Sequence, residues 1–297
     1  MDKASNEGNG IPVPEIPLHL KYYMFDWDDN ILHMPTRIHL ERKVEGGWEP
    51  YDVSTAEFAR IRRRMDGIRP RKGDWDEAFV DFYDRGDRGD RAFLEDTKSA
   101  LAPVLEGKEQ GAPSFATFKQ ALIEARLFAI ITARSHSPGS IRKGVEYFIE
   151  AMLNEDEKKL MLANIKSYIQ RFEGKLPEKS DGEFLAGYLD LNRYHGVTSP
   201  EFEAMMGRRG GGSESPEAAK QFAVKDFVQH VLSLLRGGGV GGPVSIGFSD
   251  DDPHNIEAIE DYLRDELGRS FPDIKFVVYD TSDPDRPKGR KIVVAEE

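Results

Sequence analysis

Three strand-length apolar runs in this chain each stop at side chains that carry oxygen. Residues 18–26 read LHLKYYMFD, residues 127–132 read LFAIIT, and residues 244–248 read VSIGF before Ser249 and three successive aspartates. Between them lie segments with helical periodicity, such as residues 114–126, where Phe115, Phe118, Leu122 and Ala125 share one face. Alternating strands and helices predict an α/β fold, a Rossmann-like and mostly parallel sheet with helices on both faces. In such sheets chemistry gathers at the carboxyl ends of the strands. Asp26, Thr132 and Asp250 all fall there. Polar residues placed directly after a buried strand are costly unless they face a cavity or an ion.

The rest of the chain fits around that frame. Residues 1–17 are polar and rich in Gly and Pro, and are expected to form a disordered lead-in. Residues 37–42 and 48–53 read as a hairpin around Glu45-Gly46-Gly47. Ser54 and Glu57 form a capping box that predicts a helix running to about residue 65. Further helices are expected at 75–83, 91–101, 138–153, 155–172, 215–237 and 253–267. Strands are expected at 274–279 and 291–295, with a weaker strand at 184–191. The charged repeat at 84–91 and the Gly-rich stretch at 207–214 read as loops. The expected organisation is a core of residues 18–32 and 114–297 carrying a helical insertion at about 154–214. Residues 33–113 form a separate insertion.

Composition narrows the function. The chain has 297 residues, a formal charge of −12 and no cysteine. Thiolate metal sites and Cys nucleophiles are excluded, and the lack of cysteine fits a reducing cytoplasm. No apolar stretch is long enough to span a bilayer, so no membrane partner is expected. The acidic balance opposes binding to a nucleic-acid polymer. The basic cluster Arg62, Arg63, Arg64, Arg69, Arg71 and Lys72 reads as a solvated face or a local anion contact.

The crowded acids point to a cation. Asp26, Asp28 and Asp29 follow the first strand and Asp250, Asp251 and Asp252 follow the last strong one. Hard carboxylate oxygens without His or Cys suit Mg²⁺.

These motifs resemble the haloacid dehalogenase (HAD)-like hydrolase superfamily. Asp26-Trp27-Asp28-Asp29-Asn30 matches its first motif, D-x-D-x-[TV]. The strand ending Ile130-Ile131-Thr132 matches its second, and Phe248-Ser249-Asp250-Asp251 its acidic pair. The resemblance covers roughly residues 18–32, 114–153 and 215–280. It implies a magnesium-dependent phosphatase with a β-hairpin flap and a helical cap, supplied here by residues 33–113. Asp26 would be the nucleophile, forming an aspartyl-phosphate, and Asp28 the general acid and base. Thr132 and a lysine would bind the phosphoryl group, and Asp26, the backbone carbonyl of Asp28, Asp250 and Asp251 would hold Mg²⁺.

For the lysine, Lys225 lies at the usual distance before the acidic pair and is the expected residue. Lys220, nearer the helix start and aligned with Val224, Phe227 and Val231, is the alternative. Asn30 stands where the family has Thr or Val, and Asp252 where an Arg often follows the pair. Arg134 is a candidate substrate contact. His136 is expected to point to solvent, His254 to begin a helix, and Trp27 to pack. The expected substrate is a small phosphorylated metabolite or a nucleotide. The other readings are a HAD-like binding protein without turnover and a polynucleotide phosphatase.

Overall fold

A computed structural model describes residues 19–83, 89–207, 215–238, 242–283, 285–286 and 289–294. The expected lead-in at 1–17, residues 84–88 of the charged repeat and residues 208–214 of the Gly-rich stretch lie outside these. In chain order the elements begin with β1 (Leu20–Phe25), β2 (Ile38–Val44), β3 (Gly47–Val53), α1 (Thr55–Ile61), β4 (Ile68–Pro70), α2 (Trp75–Ala78) and α3 (Gly89–Leu105). Next come α4 (Phe115–Ile123), β5 (Phe128–Thr132), α5 (Pro138–Met152), α6 (Glu155–Glu173), α7 (Asp181–Asp190), β6 (Arg193–Gly196) and α8 (Pro200–Met205). The chain continues through α9 (Pro216–Gly238), β7 (Val244–Asp250), α10 (Pro253–Tyr262), β8 (Ile274–Asp280) and β9 (Arg290–Val294).

Among the described residues, six strands form one sheet in the order β6-β5-β1-β7-β8-β9. All pair in parallel except β9, which runs antiparallel to β8. The period of two along each strand divides two cores. Phe25, Phe128 and Ile130 face one side with Phe118 and Phe148 from α4 and α5. Met24, Ala129, Ile131 and Phe248 face the other with Val224 and Phe227 from α9 and Ile256 from α10. Each fully buried Val, Ile, Phe or Met among them contributes about 1.5–3 kcal/mol. The sheet is therefore covered on both faces, which explains why its central strands read as nearly unbroken apolar runs.

The chain leaves β1 for β5 and β6 on one side, then returns to β7 and β8 on the other. Such a reversal opens a crevice beyond the carboxyl ends of the strands. A second, antiparallel sheet, in the order β3-β2-β4, lies in the segment between β1 and β5. Its small core holds Ile38, Leu40, Val53, Ala78 and Phe82.

Local differences from the sequence expectations have physical causes. Residues 184–191, expected as a strand, form the rest of α7 to Asp190 and its C-cap Leu191, and Ser180 and Glu183 form a capping box at its start. Phe184, Tyr188 and Leu189 bury one face of that helix at helical spacing. The edge strand β6 follows instead, a four-residue run too short and polar to stand out. The capping box at Ser54 starts α1 as expected, but the helix stops at Ile61, and Ile68–Pro70 adds β4 to the edge of β2. The helix expected at 253–267 is regular only to Tyr262 and continues as a wider π turn over Leu263–Leu267. No described helix is long and apolar enough to cross a membrane.

Candidate active site

Parallel pairing brings the three polar strand ends together. Phe25 lies opposite Ile130 of β5 and Ser249 of β7, and the Asp26 N–H continues the ladder to the Ser249 carbonyl at 2.9 Å. Asp26, Thr132 and Asp250 thus end adjacent strands and line one cavity of about 300 Å³. Asp28, Arg134, Lys220, Asp251 and Asp252 line it too. Gly196, paired with Thr132, makes room for the loop that follows β5. A Cβ at Gly196 would lie 2.3 Å from the His136 carbonyl oxygen.

The lysine in this cluster is Lys220, and the expectation of Lys225 is corrected. Lys225 points to solvent from α9. Lys220 is buried, and its Nζ donates to Asp26 Oδ1 at 2.8 Å and Asp250 Oδ2 at 2.6 Å. The two positions differ by more than one helical turn, and only Lys220 falls both on the buried stripe and near the end of α9 that faces the strand termini. Burial pulls the Lys220 ammonium down, but Asp250 and Asp26 outweigh it and hold its pKa above the ordinary value.

Asp26 answers differently. Burial pushes its carboxyl well above the usual range; Lys220 opposes this, while Asp250 and Asp28 add to it. The half-buried Asp251 is pushed up by the same causes, burial first and then Asp26 and Asp250. One lysine does not neutralise this group. Asp250 itself is saturated with donors, accepting from Lys220, from Asn255 Nδ2 at 3.1 and 3.2 Å, and from the Asp252 N–H at 2.9 Å.

Arg134 is completely buried, and it clamps Asp28. Its Nε donates to Asp28 Oδ2 at 2.8 Å and its Nη2 to Asp28 Oδ1 at 2.6 Å. Thr132 Oγ1 lies 3.3 Å from Asp28 Oδ2, and Thr36 Oγ1 also accepts from Arg134. The guanidinium packs over the rings of Phe82 and Phe93, 4.9 and 5.5 Å from their centroids. His136, expected at the surface, is buried and meets the Phe93 ring edge-on. The sequence signal for both was their position directly after a buried strand; what fixes them is Phe93, from a helix distant in sequence. Trp27 packs as expected, against Phe93 and Phe118, and His254 begins α10 as expected.

Asn30 is the hub beneath the acids. Its amide nitrogen donates to the carbonyls of Asp26 and Ser249 at 3.0 and 3.1 Å. Its carbonyl oxygen lies within 3.0 Å of the hydroxyls of Ser114, Ser249 and Thr281. Sequence reading identified Asn30 only as a departure and missed the three hydroxyls, which come from separate parts of the chain. Asn30→Ala would leave several buried groups unpaired, and is expected to cost about 2–4 kcal/mol in urea unfolding.

Asp29, next in the chain after Asp28, holds the neighbouring segment. Its backbone is left-handed at φ 50°, and its carboxylate accepts from Thr55 Oγ1 at 2.5 Å and the Ala56 N–H at 3.2 Å. A carboxylate at a helix N-terminus is favoured by the helix dipole, so α1 is pinned over the cavity. Burial works against the Asp29 carboxylate, but hydrogen bonds from His33, Thr55 and Ala56 prevail and lower its pKa. At the far end of α1, Arg62 pairs with Glu217 at 2.6 Å and Asp252 at 2.9 Å. The expected solvated face thus contributes one cation to the site rim.

Among the described residues, no group of three or more His, Asp or Glu side chains is arranged to hold a metal ion. Lys220 takes the place between Asp26 and Asp250 that a cation shared by those two would need. The donor chemistry nevertheless suits a hard divalent ion at Asp26 and Asp251: both line the cavity, and burial and neighbouring carboxylates push both carboxyls up, a strain such an ion would relieve. Comparisons with protein-family models, with curated proteins and with solved structures give no match to this chain.

Proposed function

We propose that this chain is a magnesium-dependent phosphomonoesterase of the HAD-like kind, working through an aspartyl-phosphate on Asp26. The observation that carries the reading is the buried Asp26–Lys220–Asp250 contact beside Thr132, set at the carboxyl ends of three adjacent parallel strands. The β2–β3 hairpin and the helices of residues 33–113 would serve as flap and cap.

An Asp26 oxygen attacks phosphorus, and the bond from phosphorus to the ester oxygen breaks. The leaving oxygen takes a proton from Asp28. Water then attacks phosphorus, giving its proton to Asp28; the bond to Asp26 breaks and phosphate leaves. Lys220 offsets charge on Asp26 and the phosphoryl oxygens, and Thr132 donates a hydrogen bond to the phosphoryl group. Mg²⁺, when bound by Asp26, Asp251 and the Asp28 backbone carbonyl, supplies neutralising charge for the phosphate. Asp250, expected from the sequence as a ligand of the ion, would act instead through Lys220, which it holds against Asp26.

Arg134 adds a condition. Both Asp28 oxygens are engaged by the Arg134 guanidinium. An entering phosphoryl group competes for the guanidinium, and release of that grip is what frees an Asp28 oxygen to face the leaving group. The same clamp is the observation that favours the second reading, a binding protein without turnover, in which Asp28 stays paired.

Hydrolysis of p-nitrophenyl phosphate decides between them. Turnover is expected with Mg²⁺ and should fall to background when the ion is chelated. Beryllium fluoride should inhibit by occupying the phosphoryl position. Absence of turnover of any small phosphomonoester in saturating Mg²⁺ would overturn the proposal.

A further inference from the structure

The cavity has two unlike ends. Its floor is the charged cluster of Asp26, Asp250, Asp251 and Lys220. Its outer wall comes from the segment between β1 and β5 and includes Ile38, Phe58, Phe79 and Phe82. We infer that the site takes small phosphomonoesters whose esterified group carries an aromatic ring close to a single phosphate; this rests on the phosphatase reading and names its substrate class.

The rings form one connected surface. Phe58 meets Phe79 edge-on at 5.5 Å between centroids, and Phe79 meets Phe82 edge-on at 5.8 Å. Phe82 is closed into the small core of the second sheet, while Phe58 and Phe79 stay half-buried where they line the cavity. The wall is fastened to the site rather than draped over it. The Ser135 N–H bonds to the Phe82 carbonyl at 2.9 Å, the Arg134 guanidinium stacks on Phe82, and Asp29 and Arg62 hold the two ends of α1, which carries Phe58. Trp75 stacks on one face of Phe79 and meets Phe58 edge-on; the sides of Phe58 and Phe79 that line the cavity are what a further ring would meet.

The hydroxyls of Thr55 and Thr198 already donate elsewhere. Thr55 Oγ1 donates to Asp29 and Thr198 Oγ1 to the Ala133 carbonyl at 3.0 Å. Arg62, the cation contributed by this segment, is held by Glu217 and Asp252. Along Ile38, Phe58 and Phe79 a polyol would lose water from its hydroxyls without replacement partners. A second phosphate would meet a cavity lined by five aspartates against Lys220, Arg134 and Arg62, with no cation among the described residues of its lining free of a carboxylate partner. An aromatic body suffers neither cost.

The test compares 2-phenylethyl phosphate with propyl phosphate, both esters of unactivated primary alcohols, so leaving-group basicity does not separate them. In the full chain with Mg²⁺, kcat/KM is expected to favour the phenyl ester by at least about 30-fold. Phe79→Leu, which keeps an apolar side chain and removes the ring, should lower that ratio about threefold to tenfold; Phe58→Leu provides the same test should the first variant fold poorly. Binding of the two corresponding phosphonates, measured by calorimetry, makes the outcomes separable. Asp26-dependent hydrolysis of both esters at similar kcat/KM overturns the aromatic preference and leaves the phosphatase reading standing. No hydrolysis, with 2-phenylethylphosphonate still bound at least about 30-fold more tightly than propylphosphonate, overturns the phosphatase reading and supports aromatic recognition. No hydrolysis with equal or absent binding overturns both.

Discussion

Asp26→Asn is expected to lower kcat/KM by about 10⁴-fold or more, because the amide offers no nucleophilic oxygen and the covalent route closes. The same change should raise thermal stability when divalent ions are absent. Burial holds the Asp26 carboxyl well above its ordinary pKa, so the folded state binds its proton more tightly than the unfolded chain does. The sign follows by linkage: the charged form is a cost to folding that is absent below the unfolded pKa. That cost grows as pH rises toward the folded value and is fully present above it. Differential scanning calorimetry should show the Asp26→Asn variant melting above the parent at neutral pH in chelator. The gap should shrink on acidification toward about pH 4, and also when Mg²⁺ neutralises the parent's carboxylates. A variant that keeps parental turnover would remove Asp26 from the chemistry, whatever its melting temperature.

Lys220→Met is expected to be the most damaging change to the fold around the site. It leaves Asp26 and Asp250 buried against each other without their shared cation, and loss of one partner from such a buried pair costs about 3–5 kcal/mol. Turnover should fall about 10²–10³-fold as well, since the charge that balances the phosphoryl oxygens is gone. Lys220 is held above its ordinary pKa, so its contribution is fully present below about pH 10 and is lost only as the pH rises through the folded value. Lys225→Met is the internal control. Lys225 is exposed on the same helix, and its removal should change stability by less than about 0.5 kcal/mol. Urea unfolding and p-nitrophenyl phosphate kinetics on the two variants would separate the lysines. Severe loss in Lys225→Met with a mild Lys220→Met would reverse the assignment.

The sequence by itself determined the α/β character and the mostly parallel sheet, because buried parallel strands need apolar residues on both faces and so appear as continuous runs. It also placed Asp26, Thr132 and Asp250 at strand ends, since a polar residue directly after such a run marks where the strand leaves the core. Three things were decided only by tertiary structure. Choosing Lys220 over Lys225 required the packing of α9 against the strand ends, which puts the Lys220 ammonium between Asp26 and Asp250; the sequence showed only that Lys220 lies on the apolar stripe near the helix start. The Asp28–Arg134 clamp depends on Phe82 and Phe93, whose rings stack on the guanidinium. The pairing of Arg62 with Asp252 and the aromatic wall it helps position join residues 58–82 to a cluster near residue 250. Periodicity reports the neighbours within one element. Contacts among buried charges and rings distant in the chain are set by how elements pack, and no local pattern encodes that.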